Sequence, residues 1–522
     1  MAADDANRTG PLVSVLIPTY NRRRYVSIAL ASAIHQDYSN LEIFVIRDGG
    51  EDIADVVNSF NDERIVFINR SENRGLAFTL NEALQQVRGK YICYLGDDDL
   101  FYAHHVGTLV DVLENRTDCQ VAYSDLYKTY CRIESDGKRR VLSKVVEISR
   151  DFDRFLMLYF NHALHVSLMH TKDLLEKIGP YDESLNVLID WDLTRRLVFF
   201  SDFYHVHRIT GEFYSPVGDS DRISVQRRKD QREYNRNVLT IRTTRPRKPW
   251  TKIKDLSVIF VTDRFDRQAG ETLGSIWRNT FYPYQVYLAL PTADSARLKT
   301  DMPNLIMVPV GANASQTERI NAALARCEGE YVAIVPRGFP VEEMWVEDPL
   351  YALINSSTPR EGFYSAGSHD HLWAAIFRKN DLLAARRSFP NFLLRESLAS
   401  AGLTIREPTF NELPFQFDHV LHQAQLAEKD GDWVQAAGLF EHIRQHYQND
   451  LWMKTLAAQA LFKTGDQKKA GALASQVNQE RPTVDTLLLE AKVKRETKQF
   501  GDAIELLEKA ENILEGKELV WT

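Results

Sequence analysis

Gly89-Lys90-Tyr91-Ile92-Cys93-Tyr94-Leu95-Gly96-Asp97-Asp98-Asp99 is an apolar run that ends in three consecutive carboxylates. Upstream, Val13-Ser14-Val15-Leu16-Ile17-Pro18-Thr19-Tyr20-Asn21 is a β-branched run closed by turn formers. Both read as short buried strands. Leu41–Ile46 and residues 64–69 read as two more strands, and residues 23–36 and 75–87 as amphipathic helices. Strands separated by helical segments of this length indicate parallel βαβ units, hence an α/β fold. Ligands in such open sheets gather at the carboxyl ends of the strands. Pro18 to Asn21, Asp48-Gly49-Gly50 and Asp97 to Asp99 all fall at such ends, which is the inference that carries most of the functional argument.

The same pattern recurs. Leu256-Ser257-Val258-Ile259-Phe260-Val261-Thr262 opens a second copy, and Gly329-Glu330-Tyr331-Val332-Ala333-Ile334-Val335-Pro336-Arg337-Gly338-Phe339 matches 89–99. The strand survives, whereas the three acids have become Arg, Gly and Phe. Arg319-Ile320-Asn321-Ala322-Ala323-Leu324 echoes Thr79-Leu80-Asn81-Glu82-Ala83-Leu84, and Arg395 stands where Asp190 does. The expectation is a second α/β domain that has lost its chemistry. From about residue 418 the pattern is helical. Gly431-Asp432-Trp433, Gly465-Asp466-Gln467 and Lys498-Gln499-Phe500 recur at about 34 residues, each followed by an alanine (Ala436, Ala470, Ala503) and a leucine (Leu439, Leu473, Leu506). That period resembles tetratricopeptide repeats, which bind a protein partner or self-associate; an intramolecular brace is the other reading.

At 522 residues the chain is long enough for about three domains, and a net charge of −8 argues against a dedicated nucleic-acid binder. Cys93, Cys119, Cys131 and Cys327 are too scattered for a disulfide framework or a zinc site. The first residues, Met1-Ala2-Ala3-Asp4-Asp5, hold no signal core, and no stretch reaches the length of a membrane span, so a cytoplasmic location is expected. The basic stretch over 222–254, including Arg242, Arg245, Lys248 and Lys252, is either a solvated helix face with a linker or a patch facing phosphate.

Several residues carry candidate chemistry. Asp97-Asp98-Asp99 is either a solvated turn or cap, or a site where adjacent carboxylates share a hard cation, Mg²⁺ or Mn²⁺. Such an ion would bridge a diphosphate and stabilise it as a leaving group. Asn73-Arg74-Gly75 followed by Asn81 suggests close backbone approach and then a helix. A helical run is expected from about Tyr102. Asp190, at the head of an amphipathic stretch, is either a helix cap or a general base. His165 and His170 read as alternate faces of a strand, with His165 a structural histidine or a group reaching the site.

Together, Val13 to Asn21, Arg47-Asp48-Gly49-Gly50, Glu72-Asn73-Arg74-Gly75-Leu76-Ala77, Tyr94 to Asp99 and Ile189-Asp190-Trp191-Asp192 resemble family 2 glycosyltransferases over about residues 12–220. The resemblance implies a GT-A fold, Rossmann-like with a mostly parallel sheet, and inverting transfer from a nucleotide-sugar (UDP- or dTDP-sugar) to a glycan or protein hydroxyl. Pro18, Thr19, Tyr20, Asn21, Asp48, Asn73, Gly75, Asn81, Asp97, Asp98 and Arg222 would then face the donor, with Asp48 on the base. Asp99, with Asp97, would hold Mn²⁺ or Mg²⁺, and Asp190 would deprotonate the acceptor. Arg47 and Gly96 stand where the family often has acids, so Arg47 is a candidate for phosphate. The implied organisation is a catalytic domain over 1–245, a degenerate GT-A-like domain over 251–415 and all-α repeats over 418–522. Nucleotidyl transfer and a non-catalytic scaffold are the rivals. The first lacks a glycine-rich phosphate loop, and the intact acids argue against the second.

Overall fold

The computed structural model describes residues 10–218, 230–291, 302, 304–369, 371–385, 395–414, 416–446 and 450–516. It divides into two compact units: Met1–Met157, Asn161–Asn237 and Phe417–Thr522 form one, and Leu158–Phe160 with Val238–Gln416 form the other.

In the first unit, β1 (Val13–Thr19), β2 (Leu41–Asp48), β3 (Ile65–Arg70), β4 (Tyr91–Tyr94), β5 (Leu100–Phe101), β6 (Cys119–Ile133), β7 (Arg139–Val145), β8 (Leu168–Thr171) and β9 (Asp202–Pro216) make one sheet. Its order is β3-β2-β1-β4-β8-β6-β9-β5, with β7 paired to β6. β3, β2, β1 and β4 are parallel, and helices Arg23–Ile34, Ala54–Ser59 and Leu76–Leu84 make the crossovers. Val13, Val15, Ile17, Ile43, Val45 and Cys93 are buried in one core, as expected of strands covered on both faces.

One local expectation shifts and one is corrected. Residues 100–101 form β5 against β9, and the helix expected from about Tyr102 begins at His105. The cause is Ser32, whose Oγ accepts the Phe101 N–H, and Gln36, which bonds Tyr102 O and Val106 N across the strand-to-helix junction. His165 lies in a 3-10 turn, His165–Ser167, and only His170 is in β8, so the two do not share a strand.

The second unit repeats the plan. β10 (Leu256–Val261), β11 (Tyr284–Pro291), β12 (Leu305–Val310), β13 (Tyr331–Pro336), β14 (Glu361–Tyr364), β15 (Ala375–Arg378) and β16 (Thr404–Arg406) lie in the order β12-β11-β10-β13-β15-β14-β16. The register makes the correspondence explicit. Val13 pairs with Leu41 and Tyr91, and Leu256 pairs with Tyr284 and Tyr331. Single hydrogen bonds recur too. Ser14 Oγ accepts from Gly89 N at 3.0 Å, and Ser257 Oγ from Gly329 N at 2.9 Å. A Cβ on either glycine would lie 2.5–2.7 Å from that serine, so both positions require glycine. Lys172 Nζ donates to Val87 O as Lys379 Nζ donates to Cys327 O. Of the basic stretch before β10, residues 222–229 lie outside the described residues; among the rest, Lys248 pairs with Asp255 and Glu328, and Arg242 with Glu343.

The chain ends in three helical hairpins: Gln416–Lys429 with Trp433–His446, Leu451–Lys463 with Gln467–Glu480, and Val484–Glu496 with Phe500–Glu515. The repeated turn residues Gly431, Gly465 and Lys498 all have positive φ, at 80°, 91° and 62°. A left-handed residue ends the first helix of each hairpin and lets the second fold back. Ala436, Ala470 and Ala503 are buried where the paired helices meet.

These helices pack against the first sheet. Val484, Leu487, Ala510 and Ile513 share a core with Tyr127, joined by Tyr102, Val146 and Ile209. Lys144, buried, bridges Glu212 Oε1 at 2.6 Å and the Ile513 carbonyl at 2.9 Å. Arg481 pairs with buried Asp125 and donates to Ser149 Oγ at 3.0 Å. Among the described residues no helix is long and apolar enough to cross a membrane.

Candidate active site

The parallel strands deliver Thr19, Asp48 and Asp97 to 99 to one edge, because each acid or hydroxyl lies at or just past the carboxyl end of its strand. Asp48, 5% exposed, ends β2. Its Oδ1 accepts from Arg74 N at 2.8 Å, its Oδ2 from Gly75 N at 2.9 Å, and Arg70 of β3 pairs with it. The carboxylate thus ties the 72–75 loop to the sheet. Gly49 and Gly50, at φ 76° and 72°, make the turn beside it. A Cβ on Gly50 would sit 2.1 Å from Asn21 Oδ1, and one on Gly49 would sit 2.6 Å from Asn73 N. Asn21 Oδ1 in turn accepts from Glu51 N at 2.8 Å. Tyr20 and Asn73 are exposed at this edge.

Gly75 faces open space. Nothing lies within 4 Å of a Cβ built there; its φ of 88° is what turns the loop into helix Leu76–Leu84. Arg47 is engaged within its own loop, donating to Gly50 O, Glu51 O and Asn69 Oδ1. Asn81 is buried and bonds the Tyr181 backbone on both sides, at 2.8 Å and 3.0 Å, so it fixes the segment after helix Asp173–Ile178. Arg222 lies outside the described residues, and of the matching stretch in the second unit only helix Arg395–Ser400 is described, without the Arg395 side chain.

The aspartate run folds tightly. Asp99 N–H donates to Gly96 O, and Asp99 Oδ1 accepts from Tyr214 N at 3.1 Å. A Cβ at position 96 would lie 2.6 Å from Asp99 Oδ2, which explains glycine there. Arg22 pairs with Asp98 and lies 3.8 Å from Asp97. Burial, and then the charge of Asp98, push the Asp97 carboxyl up to about 7 against the pull of Arg22. Arg139 of β7 donates to Asp98 O at 2.7 Å and lies over the Tyr25 and Tyr214 rings. Arg22 and Arg139 were not legible as site residues, since their partners stand 76 and 41 positions away. Crowded oxygen donors, one of them raised chiefly by burial, fit a hard divalent cation, with Arg22 as the protein's own cation at that place.

Asp190 sits in the first turn of helix Ile189–Leu197, after Leu188, whose φ of 65° is strained for a branched side chain. Desolvation pushes its carboxyl above the usual range, and Asn161 Nδ2 donates to Oδ2 at 3.1 Å. Its charge bears on Tyr181, whose ring meets the edge of Tyr94 at the end of β4. His165 stacks on Tyr94 at 4.0 Å and bonds Tyr181 Oη at 2.9 Å; burial pulls it down to about 3. His165 is therefore a neutral, half-buried group packed between Tyr94 and Tyr181.

Among the described residues, one group of three His, Cys, Asp or Glu brings ligand atoms within 4.8 Å of one another: Asp125, His205 and His207. It is a poor metal site. Arg481 occupies Asp125 Oδ2, and His205 bridges Asp125 Oδ1 at 2.9 Å and Asp151 Oδ1 at 3.1 Å, so both ring nitrogens are engaged. Burial opposes charge on His205, but the hydrogen bonds to Asp125 and Asp151 outweigh it and raise the imidazole to about 9. The unfolded histidine titrates near ~6.5. The contribution is therefore complete below that pH, declines above it and is gone once pH passes about 9, amounting to at most about 3 kcal/mol. Thermal unfolding of the wild type should lose stability from pH 7 to 9.5 more steeply than His205→Gln. Parallel curves would show that His205 carries no charge in the fold.

Residues 14–170 match the model of the family Glycosyl transferase family 2. An uncharacterized glycosyltransferase of Rickettsia typhi is 31% identical over 210 residues, which is 39% of this chain and 64% of the relative. The counterpart in Rickettsia prowazekii matches to the same extent, so the chain spans just under two thirds of these relatives. The Escherichia coli UDP-Glc:alpha-D-GlcNAc-diphosphoundecaprenol beta-1,3-glucosyltransferase WfaP is 27% identical over 204 residues, 38% of this chain and 78% of that one. Among solved structures, Staphylococcus aureus TarS 1-349 in complex with UDP-GlcNAc is 16% identical, with a TM-score of 0.35, over 44% of this chain and 65% of that one.

Proposed function

We propose that the first unit, whose residues 14–170 match the Glycosyl transferase family 2 model, transfers a sugar, with inversion, from a nucleotide-sugar such as a UDP- or dTDP-sugar to a hydroxyl of a glycan or protein. The observation that carries this reading is the gathering of Thr19, Asp48 and Asp97 to Asp99 at one sheet edge.

Thr19, Tyr20 and Asp48 would hold the nucleoside, with Asp48 on the base and Asn21 and Asn73 beside it. Asp97 and Asp99 would hold Mn²⁺ or Mg²⁺, which neutralises the diphosphate as it leaves. Arg22 and Arg139 lie beside the same acids and hold the loop in place before the donor arrives. Asp190 takes the proton from the acceptor hydroxyl as that oxygen attacks the anomeric carbon, and its raised affinity for a proton suits that role. In-line attack needs the base opposite the leaving group, so the base comes from a segment other than the strand ends.

The second unit is read as a copy retired from this chemistry. The helical hairpins are read as a brace for the sheet, supported by the buried Lys144 and Arg481 contacts; a protein partner on their remaining surface is a further expectation.

A donor panel with Mn²⁺ tests the transferase reading. One nucleotide-sugar should be turned over, slowly by water without acceptor, with inverted configuration at the anomeric carbon and loss of activity on chelation. A product of retained configuration, or no turnover of any donor with glycan and protein acceptors present, would contradict it.

A further inference from the structure

The second unit holds an open cavity of about 430 Å³ at the carboxyl edge of β10 and β13, the place that corresponds to the aspartate cleft of the first. Its lining carries Arg319 and Arg337 together with Asp263. By strand register, Arg337 stands at the position of Asp97 and Pro291 at that of Asp48. An ion pair again joins the start of the first helix to the end of the fourth strand, one position over and with its signs exchanged. In the first unit Arg22 pairs with Asp98. In the second, Asp266 receives Arg337 on both oxygens and caps helix Arg267–Asn279. The pair ties the turn after β13 to the start of that helix.

Arg319 adds a second, independent observation. It is 6% exposed and lines the cavity. Its Nε donates to Ala314 O at 3.1 Å and its Nη1 to Ala289 O at 3.2 Å. Among the described residues no carboxylate pairs with it. At the corresponding position of the first unit stands Thr79, and the guanidinium beside it, Arg70, meets Asp48 and Glu82. A buried guanidinium with only carbonyl partners is costly unless an anion completes it. The cavity wall supplies what such an anion would need: Arg319 within, Arg337 at the rim, the exposed His371, and the apolar faces of Leu372 and Trp373 for a ring attached to it. The volume lies within the range of small-ligand sites.

We propose that this cleft is a metal-independent binding site for a phosphate-bearing small molecule, whose oxyanion rests on Arg319 and Arg337 and whose ring packs on Trp373. A guanidinium fork does here what a metal on carboxylates would do in the first cleft. The sources of such a phosphate are a nucleotide and a sugar phosphate. The proposal does not depend on the first cleft being a transferase.

Calorimetric titration of the full chain in EDTA tests it, with UDP, glucose 1-phosphate and inorganic pyrophosphate as probes. At least one should bind saturably. Arg319→Met should weaken that binding at least about tenfold, Arg337→Ala several-fold, and Asp97→Ala should leave it unchanged. Arg337 is partly exposed, so it decides the matter if Arg319→Met proves unfolded by circular dichroism. UDP binding far above the other two assigns the site to nucleotides; glucose 1-phosphate binding above UDP assigns it to sugar phosphates. Absence of binding by all three, binding indifferent to Arg337→Ala and to a folded Arg319→Met, or binding lost in Asp97→Ala would overturn the proposal.

Discussion

Asp190→Asn should lower the transfer rate by about 10²–10⁴-fold while donor affinity changes by less than about threefold. The amide keeps an acceptor for Asn161 and nearly the same volume, so helix Ile189–Leu197 has no reason to move. What is removed is the group that accepts the acceptor's proton. The split between rate and affinity is the informative part, because a misfolded variant would lose both. The wild-type pH–rate profile should rise with the deprotonation of Asp190, at a pH above the usual carboxylate range, and the variant should lack that limb. A variant that transfers at the wild-type rate would remove Asp190 from the chemistry.

Arg481→Met should destabilise the first unit by about 3–5 kcal/mol, the usual effect of stranding a buried charge. Asp125 is 1% exposed and would keep only His205 as its cation. The loss should be local first: the last hairpin, held also by the Val484, Leu487 and Ile513 core, should become accessible to protease before the sheet does. A consequence for the site follows through Lys144. Its ammonium joins the Ile513 carbonyl to Glu212, which also takes the Tyr102 hydroxyl at 2.9 Å and Thr129 Oγ1 at 2.8 Å. Glu212 opposes Leu100 in β5, and Tyr214, two residues on, donates to Asp99. Loosening the hairpin should therefore lower transfer as well as stability. Equal protease resistance in Arg481→Met and wild type would show that the pair contributes little to docking.

The parallel strands were legible because β-branched runs bounded by Asn, Gly and Asp leave few alternatives at that length. Helix Ala54–Ser59 escaped notice, since six residues give too little periodicity. β5 escaped because its conformation is set by Ser32 and Gln36, more than sixty residues upstream. In the site, the sequence placed Asp48 and Asp97 to Asp99 at strand ends by local pattern. It could not reveal Arg22 beside Asp98 or the exchanged pair Asp266–Arg337, because ion pairs across a sheet edge leave no local mark. The repeats were visible from their period, yet their docking was not. Arg481 and Lys144 look like ordinary surface cations until their partners, 356 and 68 residues away, are known.

The most direct test of the central claim is electron paramagnetic resonance of Mn²⁺ titrated with the full chain in the presence of UDP, against a blank of UDP alone. The free-ion signal should fall well below the blank for the wild type and equally for Arg337→Ala. It should return to the blank for Asp97→Asn and Asp99→Asn. Retention of Mn²⁺ by both aspartate variants at the wild-type level would contradict the assignment of metal and donor to the first cleft.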